Sequence, residues 1–139
     1  MKKNNYSIND VELIEVQNIQ DQRGKICVIS NHNTKFDIKR VFSITTQNNI
    51  ERGHHAHKLC KQFIVCIKGL ILIEVDDGSN KKEYVLDDSS KGLMIPNGIW
   101  SHQIYKDNLN IINVYCDMDY DESDYIRNYK EYIAFIKKT

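Results

Sequence analysis

Between residues 25 and 117 the chain is cut into short apolar runs by turn signals at close intervals. The runs cover 25–30, 38–45, 63–68, 70–76, 83–86, 92–95, 101–105 and 109–117. Arg23-Gly24 precedes the first. Asp76-Asp77-Gly78, Asp87-Asp88-Ser89-Ser90, Pro96-Asn97-Gly98 and Lys106-Asp107-Asn108 separate later ones. Strand-sized runs at this spacing suit a sandwich or barrel. The two runs that flank Gly69 read as a hairpin, and Asp76-Asp77-Gly78 reads as the turn of another. Only the end changes period. Ile126, Tyr129, Ile133 and Ile136 follow helical spacing, with Asp121, Glu122 and Asp124 near the start and Lys137 and Lys138 near the end, as the helix dipole favours. The sequence predicts an all-β body with one C-terminal α-helix. At 139 residues it has material for one core, so 1–139 is expected to be a single domain.

Several function classes fall away. Lysine plus arginine and aspartate plus glutamate number 19 each, so no basic excess supports a nucleic-acid surface. No apolar run reaches the roughly 18 residues of a membrane span. The polar start Met1-Lys2-Lys3-Asn4-Asn5 has no apolar stretch behind it and does not read as a signal peptide. A cytoplasmic protein is expected. Cysteines 27, 60, 66 and 116 form no C-x-x-C pair, which argues for reduced thiols over a zinc knuckle. Lysines outnumber arginines 15 to 4. With lysine serving as the general cation, Arg23, Arg40, Arg52 and Arg127 are candidates for sites that need a planar fork for an anion.

The chemistry concentrates in Arg52-Gly53-His54-His55-Ala56-His57. On a strand, His55 and His57 share a face, while His54 and Ala56 point away. Two inward imidazoles need partners or a purpose. They suit metal ligation or acid/base work near neutral pH. The spacing resembles the cupin superfamily, whose first motif here reads His55, His57, Gln62 and Gly69, and whose second reads Gly92, Pro96-Asn97-Gly98 and Ser101. Gln62 stands where the family has an anionic carboxylate, and Ser101 where it has a further imidazole. His102, one residue on, would face the other side of its strand. Two neutral imidazoles make a weak divalent site, so acid/base histidines are the better reading.

A narrower resemblance runs almost end to end. The residues that carry it are Asp21-Gln22-Arg23-Gly24, Phe36-Asp37-Ile38-Lys39-Arg40-Val41, Arg52 to Lys58, Gln62, Val75-Asp76-Asp77-Gly78, Gly92-Leu93, Trp100, and Tyr120 to Tyr129. Together they resemble the cupin-superfamily ketoisomerases that act on dTDP-4-keto-6-deoxyglucose. That resemblance implies a metal-free and cofactor-free homodimer built on a jelly-roll β-barrel. It implies an isomerase that moves the sugar carbonyl from C4 to C3 through an enediolate. His55 and His57 would be its catalytic histidines. Arg52 and Arg127 would meet the pyrophosphate, Arg23, Gly24 and Arg40 the nucleotide or sugar, and Lys58 a phosphate. The implied product is dTDP-3-keto-6-deoxygalactose, a precursor of 3-amino or 3-acetamido sugars for lipopolysaccharide O-antigen or another surface glycan.

The match departs from the family in places. Relatives often carry tyrosines at the positions of Phe42 and Ser43. Galacto-forming relatives often have a histidine at the position of Ser101, although they share Arg23-Gly24. Tyr125 and Tyr129 read as packing residues of the helix, and Trp100 as part of the barrel wall. The competing readings are the gluco 3-keto product, a metal-dependent cupin, a dTDP-sugar 3,5-epimerase and a non-catalytic dTDP-sugar-binding module.

Overall fold

The computed structural model describes residues 5–138. The Met1 to Asn4 part of the polar start lies outside these residues. After a 3-10 turn at Ile8–Asp10 come β1 (Glu12–Glu15), β2 (Gln17–Asp21), β3 (Gly24–Val28), the short α1 (Asn31–Thr34), β4 (Arg40–Thr46), β5 (Ile50–His57) and β6 (Gln62–Lys68). There follow β7 (Ile71–Asp76), β8 (Lys81–Leu86), β9 (Lys91–Ile95), β10 (Trp100–Tyr105), β11 (Asn110–Cys116), a 3-10 turn at Glu122–Asp124, β12 (Tyr125–Ile126) and α2 (Tyr129–Lys138).

Ten of these strands form two five-stranded antiparallel sheets, ordered β1-β9-β6-β11-β4 and β12-β5-β10-β7-β8. The arrangement is the expected jelly roll, built as two open sheets with no hydrogen-bonded ladder closing the wall among the described residues. The core between them holds Ile64, Cys66, Ile71, Ile73, Val75, Leu93, Tyr105, Ile112 and Val114, each almost wholly buried. Among the described residues, β2 and β3 pair only with each other.

Two local expectations are corrected. The runs about Gly69 do not form a hairpin. β6 pairs with β9 and β11, and β7 with β8 and β10, so the chain crosses between sheets at Gly69. Gly69 has φ +102°, and a Cβ there would collide with Asn110. The Asn110 side chain accepts the Leu70 N–H at 3.1 Å, which fixes the crossover. The turn at Asp76-Asp77-Gly78 does join a true hairpin, β7 to β8.

The helix begins at Tyr129 and not at Ile126. Asp121 caps the preceding 3-10 turn by accepting the Ser123 N–H at 3.0 Å. Tyr125 and Ile126 then pair with His57 and Ala56. Asn128 starts α2, accepting the Glu131 N–H on its side chain at 3.1 Å. The acidic residues thus serve the turn ahead of the helix. α2 lays Tyr132 and Ile136 against Ala56, Trp100 and Ile126 on the outside of the second sheet. Trp100 is wall, as expected. No helix among the described residues is long and apolar enough to cross a membrane.

Candidate active site

A cleft of about 370 Å³ opens between the sheets, with Phe42, Arg52, His55, Gln62, Tyr125 and Arg127 in its lining. β5 supplies its centre through a bulge. His55 pairs with Ser101 and Gly53 with His102, which leaves His54 as the extra residue. His54 has φ +57° and Gly53 φ +94°. A Cβ on Gly53 would lie 3.0 Å from the His102 backbone, so glycine suits the position. In a regular strand, Arg52 and His55 are three apart and face opposite sides. The bulge absorbs one residue and brings both to the cleft. His54 turns outward and stacks on His102, with 4.6 Å between ring centroids.

His55 and His57 share the inner face as the sequence predicts. Their rings are nearly perpendicular, with centroids 5.0 Å apart. Tyr125 packs against both, at 5.1 Å and 4.3 Å. Nδ1 of His55 and Nε2 of His57 are buried without a hydrogen-bond partner. Burial, and then the neighbouring His57, push the His55 imidazole down to about 4. Burial also lowers His57, although Asp124 opposes it. Asp124 Oδ2 lies 2.8 Å from His57 Nδ1. Both imidazoles are therefore neutral near pH 7.

The arginines divide. Arg52 lines the cleft. Arg127 lines it too, but its guanidinium is already forked onto Glu122 at 2.7 and 2.9 Å and lies over the Tyr125 ring at 4.3 Å. Arg40 borders an adjoining recess with Phe42, Tyr120 and Tyr125. It donates to Cys116 Sγ at 3.4 Å and faces the Phe42 and Tyr120 rings. Arg23 and Gly24 are not brought to the cleft of their own chain. They lie at the β2–β3 tip in a separate groove with Ile19, Asp21, Lys25 and Ile26, and Arg23 is paired with Asp21 at 2.6 Å. Lys58 borders a different groove, with Ile126, Glu131 and Phe135. All four cysteines are free thiols, Cys27 half-buried and the other three buried.

Two residues stand differently from their sequence reading. Tyr125 is no helix residue; it is a strand residue of the cleft. Asp124, read as part of a helix start, is the buried partner of His57. Its offset from the histidines is set by the β12–β5 pairing, which no local pattern announces. The structure also sorts the departures on β4. Phe42 lines the cleft, while Ser43 points away and bonds Asn113 at 2.8 Å.

The usual cupin metal position falls on His55, His57, Gln62 and Ser101. These offer two imidazoles, an amide and a hydroxyl, with no anionic donor. The Gln62 NH2 donates to Cys116 Sγ at 3.7 Å, which leaves a neutral amide oxygen where a carboxylate would sit. The donors do not fit a divalent cation.

The family model described as FdtA: WxcM-like, C-terminal, matches residues 9–137. The chain belongs to this family. Its curated relative from Aneurinibacillus thermoaerophilus, a TDP-4-oxo-6-deoxy-alpha-D-glucose-3,4-oxoisomerase, is 37% identical over 131 residues, 90% of this chain and 94% of the relative. The crystal structure of QdtA, a sugar 3,4-ketoisomerase from Thermoanaerobacterium thermosaccharolyticum in complex with TDP, superposes with a TM-score of 0.90. It is 35% identical, with 95% of this chain and 98% of that chain covered. The WlaRB TDP-quinovose 3,4-ketoisomerase of Campylobacter jejuni follows at 0.86 and 31% identity, covering 91% and 99%.

Proposed function

We propose that this chain isomerises dTDP-4-keto-6-deoxyglucose to the 3-keto sugar, with His55 and His57 as its acid/base groups. The enzyme class, a TDP-sugar 3,4-ketoisomerase, rests on the family and on relatives of that name across nearly the whole chain. A histidine-to-asparagine variant of QdtA is described in complex with TDP-4-keto-6-deoxyglucose. The observation that carries the site assignment is the perpendicular His55–His57 pair, with one nitrogen of each buried and unpartnered. Such nitrogens cost stability unless a ligand completes them.

The chemistry needs two proton movements. The hydrogen on C3 leaves as a proton, giving an enediolate, and a proton is returned to carbon at C4. Meanwhile the proton on the C3 oxygen moves to the C4 oxygen. His55 lines the cleft and takes the carbon-bound proton. His57 relays between the oxygens. Neutral imidazoles are the required starting form. Arg52 contributes a fork to the pyrophosphate, with Arg127 beside it.

The chain acts as a homodimer in this reading. The β2–β3 hairpin exposes Ile19 and Ile26 side by side and carries Arg23 and Gly24 away from their own cleft. Docked on a partner, it would supply Arg23 to the partner's nucleotide. For the C4 configuration, Arg23-Gly24 favours galacto and Ser101 opposes it; the galacto product is the one proposed, and it would pass to an aminotransferase and an acyltransferase.

Proton NMR of dTDP-4-keto-6-deoxyglucose with the protein in D2O tests this. A 3-keto product without deuterium at C5 supports the isomerase, and the H4 couplings separate galacto from gluco. Deuterium at C3 and C5 of a 4-keto sugar would mean a 3,5-epimerase. Unchanged substrate from a protein that binds TDP would mean a binding module.

A further inference from the structure

Asp124 is held from every side. Its Oδ1 accepts the Leu59 N–H at 2.7 Å, and Oδ2 lies 2.8 Å from His57 Nδ1. Its carbonyl accepts the Lys58 N–H at 2.8 Å, and its own N–H donates to the Asp121 carbonyl at 3.0 Å. The side chains of Asp124 and His57 are 3% and 7% exposed. The carboxylate cannot swing away without breaking the junction between β5 and β6. A carboxylate oxygen accepts, so the 2.8 Å contact suits a hydrogen carried on Nδ1 of His57. Nε2 is then a bare lone pair, and it is the buried His57 nitrogen that has no protein partner.

We propose that Asp124 is the positioning residue that fixes His57 as its Nδ1–H tautomer, so that Nε2 can accept the proton passed between the two sugar oxygens. This deepens the isomerase reading and rests on it. The Leu59 N–H makes the idea sharp. In Asp124→Asn the amide oxygen stays with that N–H, so the amide NH2 turns toward His57. It then donates to Nδ1 and forces the proton onto Nε2. A nearly isosteric change therefore imposes the opposite tautomer.

The test combines 15N NMR of histidine-labelled full-length protein with kinetics, the His57 signals being assigned by their loss in His57→Asn. The wild-type protein is expected to show Nδ1–H at His57, and Asp124→Asn to show Nε2–H. In that variant kcat falls about 100-fold or more, while KM and the dissociation constant for TDP move less than about threefold. An Nε2–H tautomer in wild-type protein would overturn the proposal. So would a kcat in Asp124→Asn within about threefold of wild type. Parallel losses of kcat and TDP affinity would overturn it in favour of a merely structural role. If the variant does not fold, the wild-type tautomer decides alone. If the wild-type protein lacks turnover, the isomerase reading fails, and the tautomer measurements still test how Asp124 holds His57.

Discussion

Around His55 and His57 the chain leaves little freedom, whereas at Arg23 it leaves almost all of it. β5 is hydrogen-bonded to β10 on one side and β12 on the other, and Tyr125 and Asp124 bear on the two imidazoles. Among the described residues the β2–β3 hairpin has only itself as a ladder partner, and side-chain bonds tie it to the turn before β9, Lys25 donating to Asp88 at 2.6 Å and Ser89 to Cys27 Sγ at 3.4 Å. Its β2 strand is exposed at every residue, and Ile19 and Ile26 are 54% and 62% exposed across from each other. Proton transfer tolerates little misplacement, so the groups proposed for it sit where packing over-determines them. Nucleotide binding can be completed by a segment that arrives from elsewhere. Under the proposed function, the cleft would hold its proton-transfer groups within one chain, and the hairpin would act only on a second copy.

The largest expected effect lies in the cleft. His55→Asn should lower kcat about 1,000-fold or more while TDP binding persists. Titration calorimetry with TDP beside NMR turnover checks both halves, and turnover within tenfold of wild type would remove His55 from the chemistry. Mixing two dead proteins sharpens the comparison. If the hairpin serves the partner's cleft, His55→Asn subunits mixed with Arg23→Ala subunits form some dimers with one intact cleft. Activity should then rise well above the mean of the two parents, toward about a quarter of wild type for free exchange. No recovery, from chains shown to exchange by co-purification of an untagged subunit with a tagged one, would return Arg23 to its own cleft or to the surface.

Arg52→Lys is expected to act more modestly. Lysine keeps the charge but loses the fork, and hydrogen bonds to a charged group are worth about 1.5–3 kcal/mol. KM should rise about 10- to 100-fold with kcat nearly unchanged. An equal fall in kcat would place Arg52 at the reacting sugar and not at the pyrophosphate.

Much of the jelly roll was legible because alternation and turn residues are local signals. The strands at 38–45, 63–68 and 109–117 were found within a few residues, and His55 and His57 do share a face. Most of the misses were set by distant partners. Gly69 carries the same residues whether the chain doubles back or crosses sheets, and the choice is made by Asn110 from far along the sequence. The bulge at His54 depends on the register of β10, so Arg52 and His55 reached one face by a route that counting along β5 could not show. Tyr125 looked helical because Ile126, Tyr129 and Ile133 keep the period, but its pairing with His57 overrides that pattern. β1 and β2 were not foreseen, since Gln17 to Asp21 carries a single large apolar residue and no alternation to speak of.

The smallest effect concerns stability, and it separates the two regions without any substrate. The His55 imidazole is pushed from its ordinary 6.5 down to about 4, mainly by burial. The unfolded chain therefore binds a proton there before the folded one does. The stability tied to neutral His55 is fully present above about pH 6.5 and is lost as the pH falls toward 4. Between pH 7 and pH 5 this amounts to about 2 kcal/mol, enough to lower Tm by several degrees. The downward shift of His57 acts in the same direction. Arg23 and its partner Asp21 are solvent-exposed and should contribute little in that window. Thermal melts from pH 7 to pH 5 should thus be visibly flatter for His55→Asn than for wild type, and unchanged in slope for Arg23→Ala. Equal slopes for wild type and His55→Asn would mean that solvent reaches the imidazole freely, and the contrast between packed imidazoles and an exposed hairpin would lose its physical basis.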